Sequence, residues 1–235
     1  MHSTGKPDTA ARDLAIVCYL FFTFGWSIGF IIVYLNPALR EIGLTGVQIG
    51  IISSLSPLAL LAANTLWGYI SDRTGQARLL LAIAPVVSAA AALALEQTRS
   101  FPLILLLSVV FNAFCFPINT LLATIAIQQL GGRSESFGQI RVWTSIGFIA
   151  GALGFGFFAE RIGLRWLFPG YAAASVLFLI GVLVMRPARV TTSQQPLLMA
   201  LRTLARSRAW VLFMLSVFVF SVGSIGANTF LTVYM

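Results

Sequence analysis

The sequence predicts an all-α integral membrane protein, and its composition and hydropathy pattern lead to that fold class. The 235 residues are 58% apolar and 9% charged, whereas soluble domains are about 45–50% apolar and about 25% charged. The mean hydropathy is +0.92. The apolar residues form long charge-free stretches without the alternation of a membrane β-strand, so helices must satisfy the backbone inside the hydrocarbon. The composition excludes soluble enzymes, disordered chains, collagen and disulfide scaffolds.

Seven charge-free stretches each have room for one membrane-spanning helix, which needs roughly 17–25 apolar residues. The first is too long for the core of a cleavable signal peptide. The two longest leave room for helix tilt. The stretches are Leu14–Leu39, Ile42–Ser71, Leu79–Leu95, Ser100–Gly132, Val142–Ala159, Trp166–Met185 and Ala209–Met235.

The basic residues between these stretches predict the orientation of the chain. Eleven lie on the side of the N-terminus and four on the other side, which places the N-terminus in the cytoplasm of a bacterial-type inner membrane and Met235 outside. Since topology accounts for the net charge of +8, no nucleic-acid partner is expected. The eleven are Lys6, Arg12, Arg73, Arg78, Arg133, Arg141, Arg186, Arg189, Arg202, Arg206 and Arg208; the four are Arg40, Arg99, Arg161 and Arg165.

A basic connection at 187–208 precedes the seventh stretch, 209–235. Leu197, Leu201 and Leu204 recur at helical spacing beside Arg202, which predicts a short amphipathic helix on the inner leaflet. A calmodulin-type target would show a similar pattern.

An internal repeat with an offset of 88 residues relates the second and fifth stretches. Each unit, about 12–98 and about 100–186, contains three spans. Because three is odd, the second copy is inverted in the membrane, an arrangement typical of secondary transporters that bind substrate between the repeats. The matched pairs are Gly43 with Gly131, Gly50 with Gly138, Gly68 with Gly156, Asp72 with Glu160, Arg73 with Arg161, and Gly75 with Gly163.

Polar side chains inside the spans mark candidate contacts. The third and sixth spans have few and are expected to face lipid, whereas Trp26 and Asn64 lie in the first two spans. In the fourth span Asn112 and Asn119 belong to a polar stripe at helical spacing, which also includes Ser108 and Cys115. The stripe has two interpretations, a cavity lining or a set of hydrogen bonds between helices.

The segment from Gly68 to Arg78 resembles the signature loop of the major facilitator superfamily between helices two and three. We expect Gly68 to permit close helix contact and Gly75 to form a tight turn. Asp72 lies at the unfavourable end of the helix dipole, so it requires Arg73, Arg78 or another helix as compensation. The resemblance implies that this motif governs opening as a latch against a second half.

The segment from Phe137 to Phe148 resembles the fifth-helix entry of the proton-coupled symporters related to lactose, nucleoside and 3-phenylpropionate permeases. This resemblance implies that Arg141, Ser145 and Phe148 bind substrate, with Gly147 as a further small residue of that face. The acid that partners the arginine in relatives is missing near Thr120, which favours an anionic or aromatic substrate over a sugar. Alternatively, Arg141 extends to the cytoplasmic interface.

Together these observations predict the six-helix N-terminal half of a major facilitator fold plus a seventh helix, apparently truncated there because family members usually have twelve. The expected function is alternating-access transport of a small organic solute, with a proton as the coupling ion and the lipid bilayer as the solvent. The alternative is a non-transporting membrane fragment or partner subunit. No catalytic residue, cofactor or metal site is expected, since His2 precedes the first span and Cys18 and Cys115 lie inside apolar stretches.

Overall fold

The structure is a computed structural model that describes residues 7–130, 137–185, 207–213 and 215–216. The chain divides into two compact units, Met1–Thr192 and Ser193–Met235. Seven α-helices of the first unit are described: α1 Pro7–Glu41, α2 Gly46–Thr74, α3 Ala77–Gln97, α4 Phe101–Cys115, α5 Pro117–Gln129, α6 Phe137–Ile162 and α7 Leu167–Val184, with a 3-10 turn at Leu164–Trp166 before α7. In the second unit, 208–213 and 215–216 are helical.

The all-α membrane fold class is confirmed in the described residues, which contain no strand. Six segments are long and apolar enough to cross a membrane, and α4 and α5 together form one of them. The predicted amphipathic helix in 187–208, most of the seventh span and the repeat residue Gly131 lie outside the described residues.

Local sequence sets both ends of α2. At its start Thr45 and Gln48 form a capping box, in which each side chain accepts a hydrogen bond from the other residue's backbone N–H. At its end Gly75 has φ +65° and donates its N–H to the Ser71 carbonyl at 2.9 Å. A residue with a Cβ would be strained in this left-handed conformation, so the tight turn expected at Gly75 is present.

The second copy of the repeat also ends its equivalent helix at a glycine with a positive φ. Gly163 has φ +84° and donates its N–H to the Ala159 carbonyl, again at 2.9 Å. Both the glycine and the carbonyl that accepts its bond are shifted by 88 residues from Gly75 and Ser71. The repeat found in the sequence therefore corresponds to a shared helix cap in the structure.

Helix packing also follows the repeat. The first helix of one copy, α1, packs on α6 and α7 of the other copy, whereas α4 and α5 pack on α2 and α3. The third helices, α3 and α7, contact each other. Exchanging the two copies turns the contacts of α1 into those of α4 and α5, and it leaves the α3–α7 contact in place, as a pseudo-two-fold axis requires.

Glycines permit an unusually close approach of α1 and α6. A Cβ built on Gly25 would lie 2.1 Å from the Thr144 carbonyl oxygen, and one on Gly147 would lie 2.1 Å from that of Phe22. Gly29 and Gly151, one helical turn further on, are equally close to the opposite backbone. Each helix thus contributes a Gly-x-x-x-Gly pair to the contact, the spacing that brings membrane helices together.

The hydrogen-bond ladder of the fourth span is interrupted between α4 and α5, although Phe116 keeps helical backbone angles of φ −73° and ψ −34°. Pro117 has no backbone N–H to continue the ladder. The Phe116 N–H reaches the Asn112 carbonyl only at 3.4 Å, and the Asn119 N–H bonds to the Phe116 carbonyl three residues earlier. The polar stripe thus stays on one helical span, Phe101–Gln129, with a weakened hydrogen bond before Asn119.

The third helices of the repeats are not the most exposed ones in this unit. Burial is lowest in α2 and α6, at 18% and 17% of their most apolar windows, against 39% for α3 and 44% for α7. The few polar groups of α3 and α7 face inward: the Tyr171 hydroxyl lies 2.9 Å from Ser88 Oγ and donates to Cys115 Sγ at 3.2 Å. These bonds join α7 to α3 and α4, and the expectation that the third helices face lipid stays a prediction.

Candidate substrate-binding face and gating motif

Three of the predicted binding residues share one face of α6. The helix is continuous over Phe137–Ile162, so the spacing of four and three residues aligns Arg141, Ser145 and Phe148. Arg141 and Ser145 are exposed in the first unit, and Phe148 is half-buried against the core. Among the described residues the Arg141 guanidinium makes no hydrogen bond or ion pair. This face therefore presents a cation, a hydroxyl and an aromatic ring together.

Contacts with α1 place Arg141 inside the apolar region. The helices run parallel, because Gly147 lies against Phe22 and Trp26, and Gly151 lies further along against Trp26. Arg141 is six residues before Gly147 and is therefore level with about residues 18–22 of α1. The charge-free stretch of α1 begins at Leu14, so the Cα of Arg141 lies roughly 6–12 Å inside it at ~1.5 Å per residue.

Trp26 lies on the opposite side of the α1–α6 contact from Arg141. Gly25 and Gly29 face Thr144 and Phe148, on the edge of α6 that continues to Arg141. Phe22 and Trp26 instead face Gly147 and Gly151, on the edge that continues to Trp143, whose ring lies 6.4 Å from that of Phe22. The structure thus separates Trp26 from the Arg141 face, and Gly147 serves the helix contact instead of that face.

Of the predicted asparagines, Asn112 is buried between helices. It is 6% exposed, and its Nδ2 donates to Ser56 Oγ of α2 at 3.2 Å and to the Ser108 carbonyl at 2.7 Å. The helix–helix interpretation of the stripe therefore holds for Asn112, and Cys115 likewise accepts its bond from Tyr171.

The other two asparagines are more accessible. Asn119 is exposed and belongs to α5, beyond the break at Phe116. Asn64 is half-buried on α2, where its Oδ1 accepts a long 3.5 Å bond from Thr120 of α5. Because α5 contacts α1 and α6 as well as α2, Asn64 and Asn119 remain on helices that neighbour the Arg141 face.

The acid of the predicted gating motif has no cationic partner in the described part of the chain. Asp72 is exposed, and no hydrogen bond or ion pair joins it to a described residue. Arg73 instead donates to the Tyr69 hydroxyl at 2.8 Å and lies over its ring. A Cβ at Gly68 would meet no atom of the described residues within 4 Å, so none of them makes the expected close helix contact there. Gly68 and Asp72 instead border a cavity of about 30 Å³ between α2 and α5.

Arg78 caps the end of α7. Its Nε donates to the Val182 carbonyl at 3.1 Å, and a terminal nitrogen donates to the Leu183 carbonyl. These carbonyls belong to the last turn of α7, where the helix has no N–H to offer them and where the dipole favours a cation. Arg78 therefore ties the start of α3 to the end of α7, and does not compensate Asp72.

Buried polar atoms without a partner among the described residues are functional candidates that the sequence analysis missed. They are Thr144 Oγ1, Gln128 Oε1 and Ser71 Oγ. Such atoms are rare in native proteins and are usually satisfied by water, an ion or a ligand. Thr144 lies three residues after Arg141, at the edge of the same face. Helical threonines commonly bond to a carbonyl in the preceding turn, so only the structure could identify this hydroxyl as unpaired.

Comparisons with known proteins agree with this architecture. The model of the MFS_1 like family matches residues 13–235. The transporter YwbF of Bacillus subtilis (strain 168) is 28% identical over 227 residues, which are 92% of this chain and 54% of that protein. A maltose permease of Geobacillus stearothermophilus is 30% identical over 177 residues, 74% of this chain and 44% of that protein.

A solved structure shows the same fold. The crystal structure of the nucleoside transporter NupG superposes with a TM-score of 0.65 and 22% identity, over 90% of this chain and 53% of that one. The chain spans about half the length of these relatives.

Proposed function

The chain belongs to the MFS_1 like family of major facilitator transporters, and from that membership we propose that it forms part of a proton-coupled symporter for a small organic solute with an anionic group. The observation that carries this proposal is Arg141, whose Cα is level with the apolar part of α1 and whose guanidinium has no partner among the described residues. An unpaired cation at membrane depth is costly, and such residues mark substrate pathways.

The groups beside Arg141 define the chemistry of the ligand. Arg141 would bind a carboxylate through paired hydrogen bonds, Phe148 would contact a ring, and Ser145 would bond to a polar substituent. The relatives' names point to maltose and nucleosides, so both belong in the test beside aromatic carboxylates. Alternating access would open the Arg141 face to each side in turn, with the motif from Gly68 to Arg78 as its latch.

Substrate binding is tested first with the 235-residue chain purified in detergent. Aromatic carboxylates, nucleosides and maltose are screened for ligand-induced rises in the apparent Tm, since a ligand that binds the folded state stabilises it. We expect an aromatic carboxylate to raise the Tm. Arg141→Ala should weaken its affinity at least about tenfold, because a buried charged hydrogen-bond partner is worth roughly 2–5 kcal/mol.

The matched control is Arg165→Ala, which removes an exposed arginine from the 3-10 turn that follows α6. Undiminished binding by Arg141→Ala, or equal loss in both variants, would remove Arg141 from the site.

Transport and coupling are tested in proteoliposomes. We expect accumulation that Arg141→Ala abolishes while the variant still inserts, and that a protonophore prevents. Uptake that ignores a collapsed proton gradient contradicts symport. The second candidate is a non-transporting module or partner subunit. It predicts ligand binding or membrane insertion without any uptake.

A further inference from the structure

An apolar groove of about 550 Å³ opens beside the α1–α6 contact, on the side of Trp143. The Tyr19 hydroxyl, the strongest polar group of the lining, donates a hydrogen bond to the Leu177 carbonyl of α7 at 2.8 Å and is therefore already paired. The rings of Phe22 and Trp143 meet edge to face. The walls therefore offer hydrocarbon and aromatic surface to an occupant. The lining residues are Leu14, Ala15, Cys18, Tyr19, Phe22 and Trp143.

The groove is separate from the proposed binding face. Arg141 and Trp143 are two residues apart on α6 and so point about 200° apart around the helix. The bond from Tyr19 to α7 shows that the groove lies over α1 on the flank shared with α7. Arg141 is not among the residues that line the groove.

A basic residue stands at one end of the groove. Arg12, Ala15 and Tyr19 have the spacing of three and four residues that aligns them on one face of α1. The Arg12 side chain is exposed, and a long helical side chain extends toward the start of its helix, here away from the groove and toward the charged edge of the span. Arg12 thus sits where a lipid headgroup would lie above a chain in the groove.

We propose that the groove holds an acyl chain of an anionic phospholipid whose phosphate binds Arg12. The ten residues from Arg12 to Phe22 span about 15 Å at ~1.5 Å each, the depth of one leaflet of a hydrocarbon core of about 30 Å. The guanidinium pairs with phosphate through two hydrogen bonds, so the site distinguishes an anionic lipid from a zwitterionic one. One lipid molecule would thus pair its phosphate with Arg12 and pack its acyl chain against Trp143.

Tryptophan quenching by brominated lipids tests the proposal directly. The reporter is the chain with Trp26, Trp166 and Trp210 replaced by Phe. It keeps Trp143 in the groove and Trp67, which is buried against Phe114 and shielded from lipid. We expect brominated phosphatidylglycerol to quench Trp143 at about fivefold lower mole fraction than brominated phosphatidylcholine, as one basic residue near an anionic headgroup provides.

Two substitutions in the reporter separate the headgroup from the chain. Arg12→Gln should bring the two lipids to equal potency, whereas Arg99→Gln, an exposed arginine at the far end of α3, should keep the preference. Ala15→Phe, which fills the groove, should reduce quenching by both lipids. If the reporter does not fold, the difference between the unmodified chain and Trp143→Phe gives the same measurement.

Three outcomes would overturn the proposal. Equal quenching by both lipids would show an unselective lipid-facing surface. An absence of quenching at Trp143 would show that another segment of the chain covers the groove. An unchanged preference in Arg12→Gln would place the anionic headgroup elsewhere.

Discussion

Gly147→Ala tests the close contact of α1 and α6, on which both faces of this helix pair depend. The added Cβ would lie 2.1 Å from the Phe22 carbonyl oxygen and 2.9 Å from the Trp26 nitrogen. Both are backbone atoms, so no change of side-chain rotamer relieves the clash. Because carbon–oxygen contacts between helices are about 3.3–3.6 Å, the helices must separate by about 1 Å.

The expected cost follows from packing and helix propensity. Overpacking a well-packed contact costs typically 1–3 kcal/mol and occasionally more, while alanine gains up to about 1 kcal/mol over glycine inside a helix. Separation also weakens the neighbouring contacts of Gly25 and Gly151, so we expect a net loss of about 2 kcal/mol for Gly147→Ala, toward the upper end of the packing range. Gly154→Ala is the matched control on the same helix, because its Cβ would meet no atom within 4 Å.

The measurement is the apparent Tm of both variants in one detergent at one scan rate, since unfolding of such proteins is commonly irreversible. A gap of about 3 kcal/mol between the variants corresponds to about 6–12 °C for a chain of this size. If Gly147→Ala unfolds at the temperature of Gly154→Ala, the helices do not approach as closely as described. Gly25→Ala should lower the Tm less when it is added to Gly147→Ala than when it is made alone, because Gly147→Ala has already separated the helices.

Two further predictions concern buried or capped polar contacts. Arg78→Gln should lower the free energy of unfolding by about 1.5–3 kcal/mol because it removes the cap of α7. Its Tm should be lower than that of Arg99→Gln, whose guanidinium bonds only to nearby carbonyls. Equal Tm values for the two variants would refute the cap. Tyr171→Phe should cost about 1–2 kcal/mol by removing the hydroxyl between Ser88 and Cys115, whereas the exposed Tyr69→Phe should change the Tm little, and a neutral Tyr171→Phe would contradict the buried cluster.

The sequence predicts those features of the fold that depend on local chemistry. Hydropathy determines the spans, because the hydrocarbon admits only long apolar helices. The glycine pair at Gly75 and Gly163 is visible as a repeat because a positive φ at the helix end favours glycine whatever surrounds it. The common face of Arg141 and Ser145 follows from helical spacing once α6 is continuous.

Features that depend on the neighbouring helix were harder to predict. Polarity alone predicts that Trp26 and Asn112 belong with the binding residues. The register of α1 against α6 instead puts Trp26 on the other side of the helix contact. Asn112 is engaged by its hydrogen bond to Ser56. Pro117 interrupts the backbone hydrogen bonds within the polar stripe, which the spacing of the stripe residues could not reveal. The Gly-x-x-x-Gly pair at Gly25 was present in the sequence, yet its partner on α6 could only be identified from the packing.

The α1–α6 contact connects the two proposals physically. Trp143 lies on one side of the glycine seam and Arg141 on the other, so separating the helices must change both flanks. Gly147→Ala should therefore alter lipid quenching of Trp143 and weaken solute binding at Arg141, while Gly154→Ala should alter neither. A change on the Trp143 side alone would show that the Arg141 face is held by α5, its other neighbour, rather than by α1. The pair of readouts in one variant thus identifies which helix positions the binding face.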